Sequence, residues 1–239
     1  MQNLQEVMQN PQIPPTVSEE KVFDEQSNLF EIVEKLPPNS YLTFYEKTWE
    51  DYENLLEAVG EASGLRISFD DGDLHIMTLS TEHESYARLV QMFIGTLSLQ
   101  YNIDIESFGS ATIKKSPTTK GTEPDACFYV QSVEKIGNSI NLDFSVDPPP
   151  DIAVEIDIHH ESLYKFPIYA KLGVAEIWRY DSRKFEIYKL EKGEYKKIER
   201  SESLPVLSAK ILGELLNRSR EERQTKILKD FEKWLKEQK

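Results

Sequence analysis

A single cysteine, Cys127, stands in 239 residues, so neither an intramolecular disulfide nor a cysteine-built metal site can form within one chain. It lies in an apolar run, where a small core residue is expected rather than a nucleophile. No apolar run approaches the ~20 residues of a membrane-spanning helix. The opening MQNLQEVMQNPQIPPTV has no basic block followed by an apolar one, so no signal peptide is read there and the expected location is the cytoplasm, with no membrane partner. Basic residues are outnumbered: 28 Lys and Arg face 42 Asp and Glu, a net charge of −14. That balance opposes tight non-specific binding to DNA, which is built from phosphate neutralisation. It leaves room for a local basic stripe.

At 39% hydrophobic and 29% charged, the chain can hold one sizeable core, and one domain with extensions is expected. Residues 1–28 are polar, Gln-rich and broken by proline, and read as a tail. Residues 29–218 carry the domain, and 219–239 a charged amphipathic helix. A strand is expected over 41–45, and Thr48 caps a helix with Glu50 and Asp51 in its first turn. Strands over 66–69 and 73–77 are joined by Asp71-Gly72, a strong hairpin signal. Ser80 or Thr81 caps the next helix, and Glu84 can complete a capping box from Thr81. His83 beside it reads either as a surface histidine or as a group orienting a carboxylate or water. Strands over 104–108 and 111–114 precede a loop over 115–121, where Lys114, Lys115 and Lys120 form the best local basic patch: a solvated turn or a phosphate contact. A hairpin over 185–198 and a helix capped by Ser208 follow. The last helix, over 219–238, carries Ile227, Leu228, Phe231, Trp234 and Leu235 on one side, a stripe that must be buried against the domain or a second subunit.

The chemistry is concentrated between 123 and 181. Apolar runs over 126–130, 152–158 and 175–180 have strand length, and 166–172 has helical length and stops at Gly173. Glu155 and Asp157 are two apart in a strand, so both leave the same face, and ionised carboxylates there need a cationic partner. Asp125 follows Pro124 at the start of the first strand, and Lys165 sits eight residues past Asp157 at the mouth of the helix. Carboxylates plus one lysine on neighbouring elements suit a Mg²⁺-dependent phosphodiester hydrolase, with oxygen ligands for a hard cation. His159 and His160 are adjacent in sequence, so in a strand they point to opposite faces and do not easily share a zinc ion.

The order Pro124-Asp125, then Glu155-x-Asp157 some thirty residues later, resembles the PD-(D/E)XK signature of the restriction-endonuclease-like superfamily, with Asp157 where the usual lysine would stand. EPD, PDIAVEID and a lysine followed by YAKLGVAEIWRYD are similar to the Uma-type restriction endonuclease family, abundant in cyanobacteria, where the lysine comes from the helix after the strand; Lys165 matches that position. Tyr169, Gly173, Val174, Glu176, Trp178 and Asp181 are the most specific part. The resemblance implies an α/β (α+β) restriction-endonuclease-like core, a mixed central β-sheet flanked by helices. It implies an endonuclease that acts through Mg²⁺ or Mn²⁺ on nucleic acid, with DNA the expected substrate. Asp125, Glu155 and Asp157 are the implied metal ligands, Lys165 the stabiliser of charge and Glu84 an auxiliary acid. The alternative is a non-catalytic nucleic-acid-binding or protein-interaction module on the same fold. A homodimer is expected with either.

Overall fold

The computed structural model describes residues 29–60 and 64–239; the tail expected over 1–28 lies outside them. A short helix α1 (Leu29–Val33) and strand β1 (Tyr41–Phe44) lead to α2 (Trp49–Val59). Thr48 caps α2 by a reciprocal box: its hydroxyl accepts from the Asp51 amide at 3.1 Å, and the Asp51 carboxylate accepts from the Thr48 amide at 2.8 Å. Strands β2 (Leu65–Asp70) and β3 (Asp73–Thr78) form the expected hairpin, turned at Asp71 and Gly72 with φ of +48° and +110°. Such angles suit glycine and, next best, aspartate. The long α3 (Thr81–Tyr101) follows, then β4 (Glu106–Gly109), β5 (Ile113–Lys115), β6 (Lys120–Thr122), β7 (Ala126–Tyr129) and a single-turn α4 (Val133–Ile136). The chain ends with β8 (Ile152–Ile156), α5 (Phe166–Leu172), β9 (Glu176–Tyr180), β10 (Phe185–Glu191), β11 (Glu194–Ile198), α6 (Ala209–Arg218) and α7 (Gln224–Glu237).

The strands make two sheets, the expected mixed one and a second that the sequence does not announce. The first has the order β1-β3-β2-β6-β5 and is antiparallel throughout. Its separateness follows from the alternation in β2: Leu65, Ile67 and Phe69 join a core of their own with Tyr52, Leu55, Leu74 and Ile76. The second sheet, β11-β10-β9-β8-β7-β4, is the mixed one. Only β8 and β9 run parallel in it, and they are joined by the crossover through α5, which ends at Gly173 with φ +88°. Helices α3, α6 and α7 cover one face of this sheet through a large core containing Val90, Phe93, Trp178, Leu216 and Phe231. Ile168, Tyr169 and Leu172 of α5 lie with Ala153 and Ile177 in a third cluster.

Two local expectations change. The loop over 115–121 holds a 3-10 turn (Ser116–Thr118) and the start of β6, which pairs with both β2 and β5. The last helix begins at Gln224, because Arg218 ends α6 and pairs with Glu222 at 2.8 Å across the intervening turn. Its stripe is buried within the same chain: Ile227, Phe231 and Leu235 are fully enclosed, and the Phe231 ring lies 4.9 Å from Phe93 of α3. Among the described residues no helix is long and apolar enough to cross a membrane.

Candidate active site

Four segments meet where the two sheets touch. The β8 strand supplies Glu155, the turn before β7 supplies Asp125, a 3-10 turn (Leu163–Lys165) running into α5 supplies Lys165, and β2 of the first sheet supplies Arg66. Pro167 near the start of α5 costs no helical hydrogen bond there and fixes where the helix begins. Lys165 is 1% exposed, and its ammonium donates to Glu155 Oε1 and Oε2 at 3.1 and 2.9 Å and to the Glu123 carbonyl at 3.1 Å. The Tyr169 hydroxyl, one turn further along α5, donates a short bond to Glu155 Oε1. Burial pushes the Glu155 carboxyl upward, against the pull of Lys165. Burial also disfavours the charged form of Lys165, but the Glu155 carboxylate overrides it, so the lysine is held as an ammonium well above its ordinary range.

Asp125 is buried and held from three sides. The Ile156 amide donates to Oδ2 at 2.7 Å, Arg66 Nε donates to Oδ1 at 3.1 Å, and His83 Nε2 lies 3.0 Å from Oδ2. The His83 approach is poorly aligned for a hydrogen bond, so Coulombic attraction is the larger part of its contribution. Burial alone would raise the Asp125 carboxyl; His83 first, then Arg66 and Lys165, hold it well below the usual carboxylate range. Burial also works against a charged His83, yet Asp125 outweighs it and lifts the imidazole to about 9. His83 is therefore a buried carboxylate partner and not a surface histidine.

The sequence-predicted residues divide. Asp125, Glu155 and Lys165 are brought together. The Asp157 carboxylate is engaged elsewhere: Arg179 Nε and the Ser162 amide (3.0 Å) and hydroxyl (3.2 Å) all donate to Oδ2. Burial raises its carboxyl despite those donors. Asp157 thus holds the start of the turn that delivers Lys165. Glu84 does not form a capping box; Ser80 is the cap and accepts from the His83 amide, because the helix begins one residue earlier than that box requires. The half-exposed Glu84 side chain instead lies 3.4 Å from Arg66 Nη2 and 3.8 Å from His83 Nδ1. Two lysines of the patch are paired with neighbouring acids, Lys114 with Glu53 at 2.9 Å and Lys120 with Asp70 and with Asp71 at 2.7 Å. His160 Nε2 donates to the Asn39 carbonyl at 2.9 Å, and the ring stacks on Tyr41.

Arg66 and the Glu123 side chain are what sequence reasoning passed over, and Tyr169, counted among the family-specific positions, was given no role in the site. Arg66 had a signal: it interrupts Leu65, Ile67 and Phe69 together with Ser68, which marks a buried polar face on a short strand. The partly buried Glu123 side chain accepts from the Ile67 amide at 2.9 Å and the Thr112 hydroxyl at 2.8 Å, bonds into the first sheet that no local pattern announces.

A divalent cation fits the donor set in part. Among the described residues no group of three or more His, Cys, Asp and Glu side chains is arranged to hold a metal. Two acids suffice for an ion that keeps several waters. Asp125 Oδ1 and Glu155 Oε2 each accept a single bond, so each retains a lone pair for a hard cation.

The model of the Uma2 family, described as "Putative restriction endonuclease", matches residues 49–221. A crystal structure of a putative nuclease from Anabaena variabilis ATCC 29413 is similar in fold, with a TM-score of 0.51 at 17% identity, over 71% of this chain and 99% of that one. No curated protein matches the chain.

Proposed function

The chain belongs to the Uma2 family of putative restriction endonucleases, and from that premise we propose that it is a metal-dependent endonuclease hydrolysing phosphodiester bonds of nucleic acid, DNA before RNA. The observation that carries the reading is the buried pair Asp125 and Glu155 with the Lys165 ammonium on Glu155. Asp125 and Glu155 would hold Mg²⁺ or Mn²⁺, which supplies charge stabilisation at phosphorus and an acidified water. The Ile156 amide and Arg66 orient the Asp125 carboxylate, and Tyr169 and Lys165 orient Glu155, so neither acid has to be ordered when substrate arrives. Lys165, kept protonated, contributes positive charge and no proton-accepting amine. Asp157 serves by fixing the Ser162 turn on which Lys165 rides. A homodimer would have to use a surface other than the α7 stripe, which is already covered.

The test is a plasmid-nicking assay with Mg²⁺ or Mn²⁺ on the wild type, Glu155→Gln and Lys165→Met, paired with calorimetric Mn²⁺ titration. Nicking lost in both variants, with Mn²⁺ binding lost only in Glu155→Gln, is expected. The pairing of Lys114 and Lys120 with neighbouring acids and the net charge of −14 favour a second reading, a non-catalytic interaction module. Wild-type protein that neither binds Mn²⁺ nor nicks DNA would establish it.

A further inference from the structure

We propose that Arg66 is the residue that receives the nucleic-acid phosphate and that Glu84 is its resting counter-ion, displaced when a strand enters. The proposal rests on the nuclease reading above and adds to it the point of substrate contact. Arg66 projects from the face of β2 that turns toward the second sheet, and its guanidinium is immobilised by Asp125 Oδ1 on Nε at 3.1 Å and by the Leu65 carbonyl on Nη1 at 2.8 Å. The remaining nitrogen, Nη2, has one long contact of 3.4 Å to Glu84 Oε1, and the Glu84 side chain is 52% exposed. A fixed guanidinium whose third nitrogen is met, among the described residues, by a loosely held, solvated acid suits a charge-assisted bond to a phosphate oxygen.

Access separates Arg66 from Lys165. A groove of about 580 Å³ is lined by Arg66, Ser80, Thr81, Glu84 and Ser110, and a second of about 470 Å³ runs from Arg66 and Ser110 past Thr112 and Glu123. Among the described residues, Arg66 is the one cationic side chain lining either groove, and it lines both. Lys165 is enclosed, with its ammonium turned to Glu155 and the Glu123 carbonyl. An incoming anion therefore meets Arg66 first, beside the Ser80 and Thr81 hydroxyls, and is set down next to Asp125. Glu84 must leave for this to happen, so its carboxylate competes with the substrate.

Binding in excess chelator tests this without any need for cleavage. The full-length protein is titrated into fluorescein-labelled single-stranded and duplex oligonucleotides of equal length, followed by anisotropy, with inorganic phosphate titrated in parallel. Glu84→Gln should tighten binding several-fold, and Glu82→Gln, an acid of the same first helical turn, should not. Arg66→Lys should weaken binding roughly tenfold or more, because an ammonium cannot hold Asp125 and the Leu65 carbonyl and still present an N–H to the phosphate, and Arg66→Gln should erase the Glu84→Gln gain. Equal effects of Glu84→Gln and Glu82→Gln would overturn the proposal, as would wild-type affinity in Arg66→Lys. Binding of phosphate with neither oligonucleotide bound would overturn the assignment to a strand. Glu84 is half-exposed, so its variant remains informative even if Arg66 variants unfold. Should the wild type bind oligonucleotide in this way yet fail to nick DNA, the nuclease reading falls and the phosphate site stands.

Discussion

Replacing Phe231 with alanine asks whether α7 is held by its own chain. Phe231 is fully buried, with its ring 4.9 Å from Phe93 and 5.9 Å from Trp234. Ile227 and Leu235, one turn to either side, are equally enclosed and engaged with α3 and α6 neighbours in the same core, so neither can swing into the vacated space. Truncating a phenylalanine in such surroundings costs about 3–5 kcal/mol. In a domain of this size each kcal/mol moves Tm by about 2–4 °C, so the variant should melt roughly 6–20 °C below the wild type. Thermal unfolding followed by circular dichroism, at protein concentrations two orders of magnitude apart, is the assay. The loss should be the same at both concentrations, because no mass action of a partner enters when the stripe is covered in cis. A loss below about 1 kcal/mol, less than a third of the cavity cost, would refute the docking, and a wild-type Tm that climbs with concentration while the variant's does not would show the stripe covered by a second subunit.

His83 gives a pH signature. Its folded value of about 9 against an ordinary 6.5 means that its stabilisation is complete below 6.5 and disappears as pH rises toward 9. Urea melts should therefore show His83→Gln weaker by ~3 kcal/mol at about pH 6 and nearly level with wild type near pH 9; a gap that does not close would remove the ion pair with Asp125. A Cβ at Gly121 would fall 2.4 Å from the Tyr52 hydroxyl and 2.6 Å from its ring, so Gly121→Ala should cost about 1–3 kcal/mol by overpacking. Tyr52→Phe should be close to neutral, since that buried hydroxyl has no hydrogen-bond partner among the described residues, and a large loss in chemical denaturation would show a bond that the geometry lacks. Cys127 is 1% exposed with its thiol pushed up to about 12 by burial, so iodoacetamide should label it only on unfolding; prompt labelling of native protein would contradict its place in β7.

Much of the second sheet was legible because its strands carry dense local signals: apolar runs of strand length, glycine at a helix end, and acids spaced by two. The same signals named Asp125, Glu155 and Lys165. Asp157 was legible as a charged residue needing a partner but not as to which one, because Arg179 is 22 residues away on the parallel neighbour β9 and nothing local pairs them. Several of the most family-specific residues have structural work: Glu176 accepts from the Trp178 indole at 2.9 Å and the Ser203 amide at 2.6 Å, and Asp181 accepts from the Arg183 and Lys184 amides at 3.0 and 2.7 Å. Tyr169 alone among them touches a carboxylate of the site. The grouping of the first sheet was not legible, because β5 and β6 are three residues each, too short for alternation to reveal a face. Arg66 and its partners depend on the contact between sheets, which sequence spacing does not encode.

The short run Glu123-Pro124-Asp125 joins both sheets at once: the Glu123 side chain takes the β2 amide of Ile67, its carbonyl takes Lys165, and two residues later Asp125 takes the amide of Ile156. Chain length is therefore fixed here to the residue. An insertion of one amino acid between Glu123 and Asp125 would unfasten either the first sheet or the β8 strand, whereas the connector over 131–150, which includes the exposed Ile140 and Val146, has room to lengthen. Related chains should vary freely in the length of that connector and hold these three positions contiguous, so the spacing between them is a sterner mark of a working cleft than the identity of any one acid.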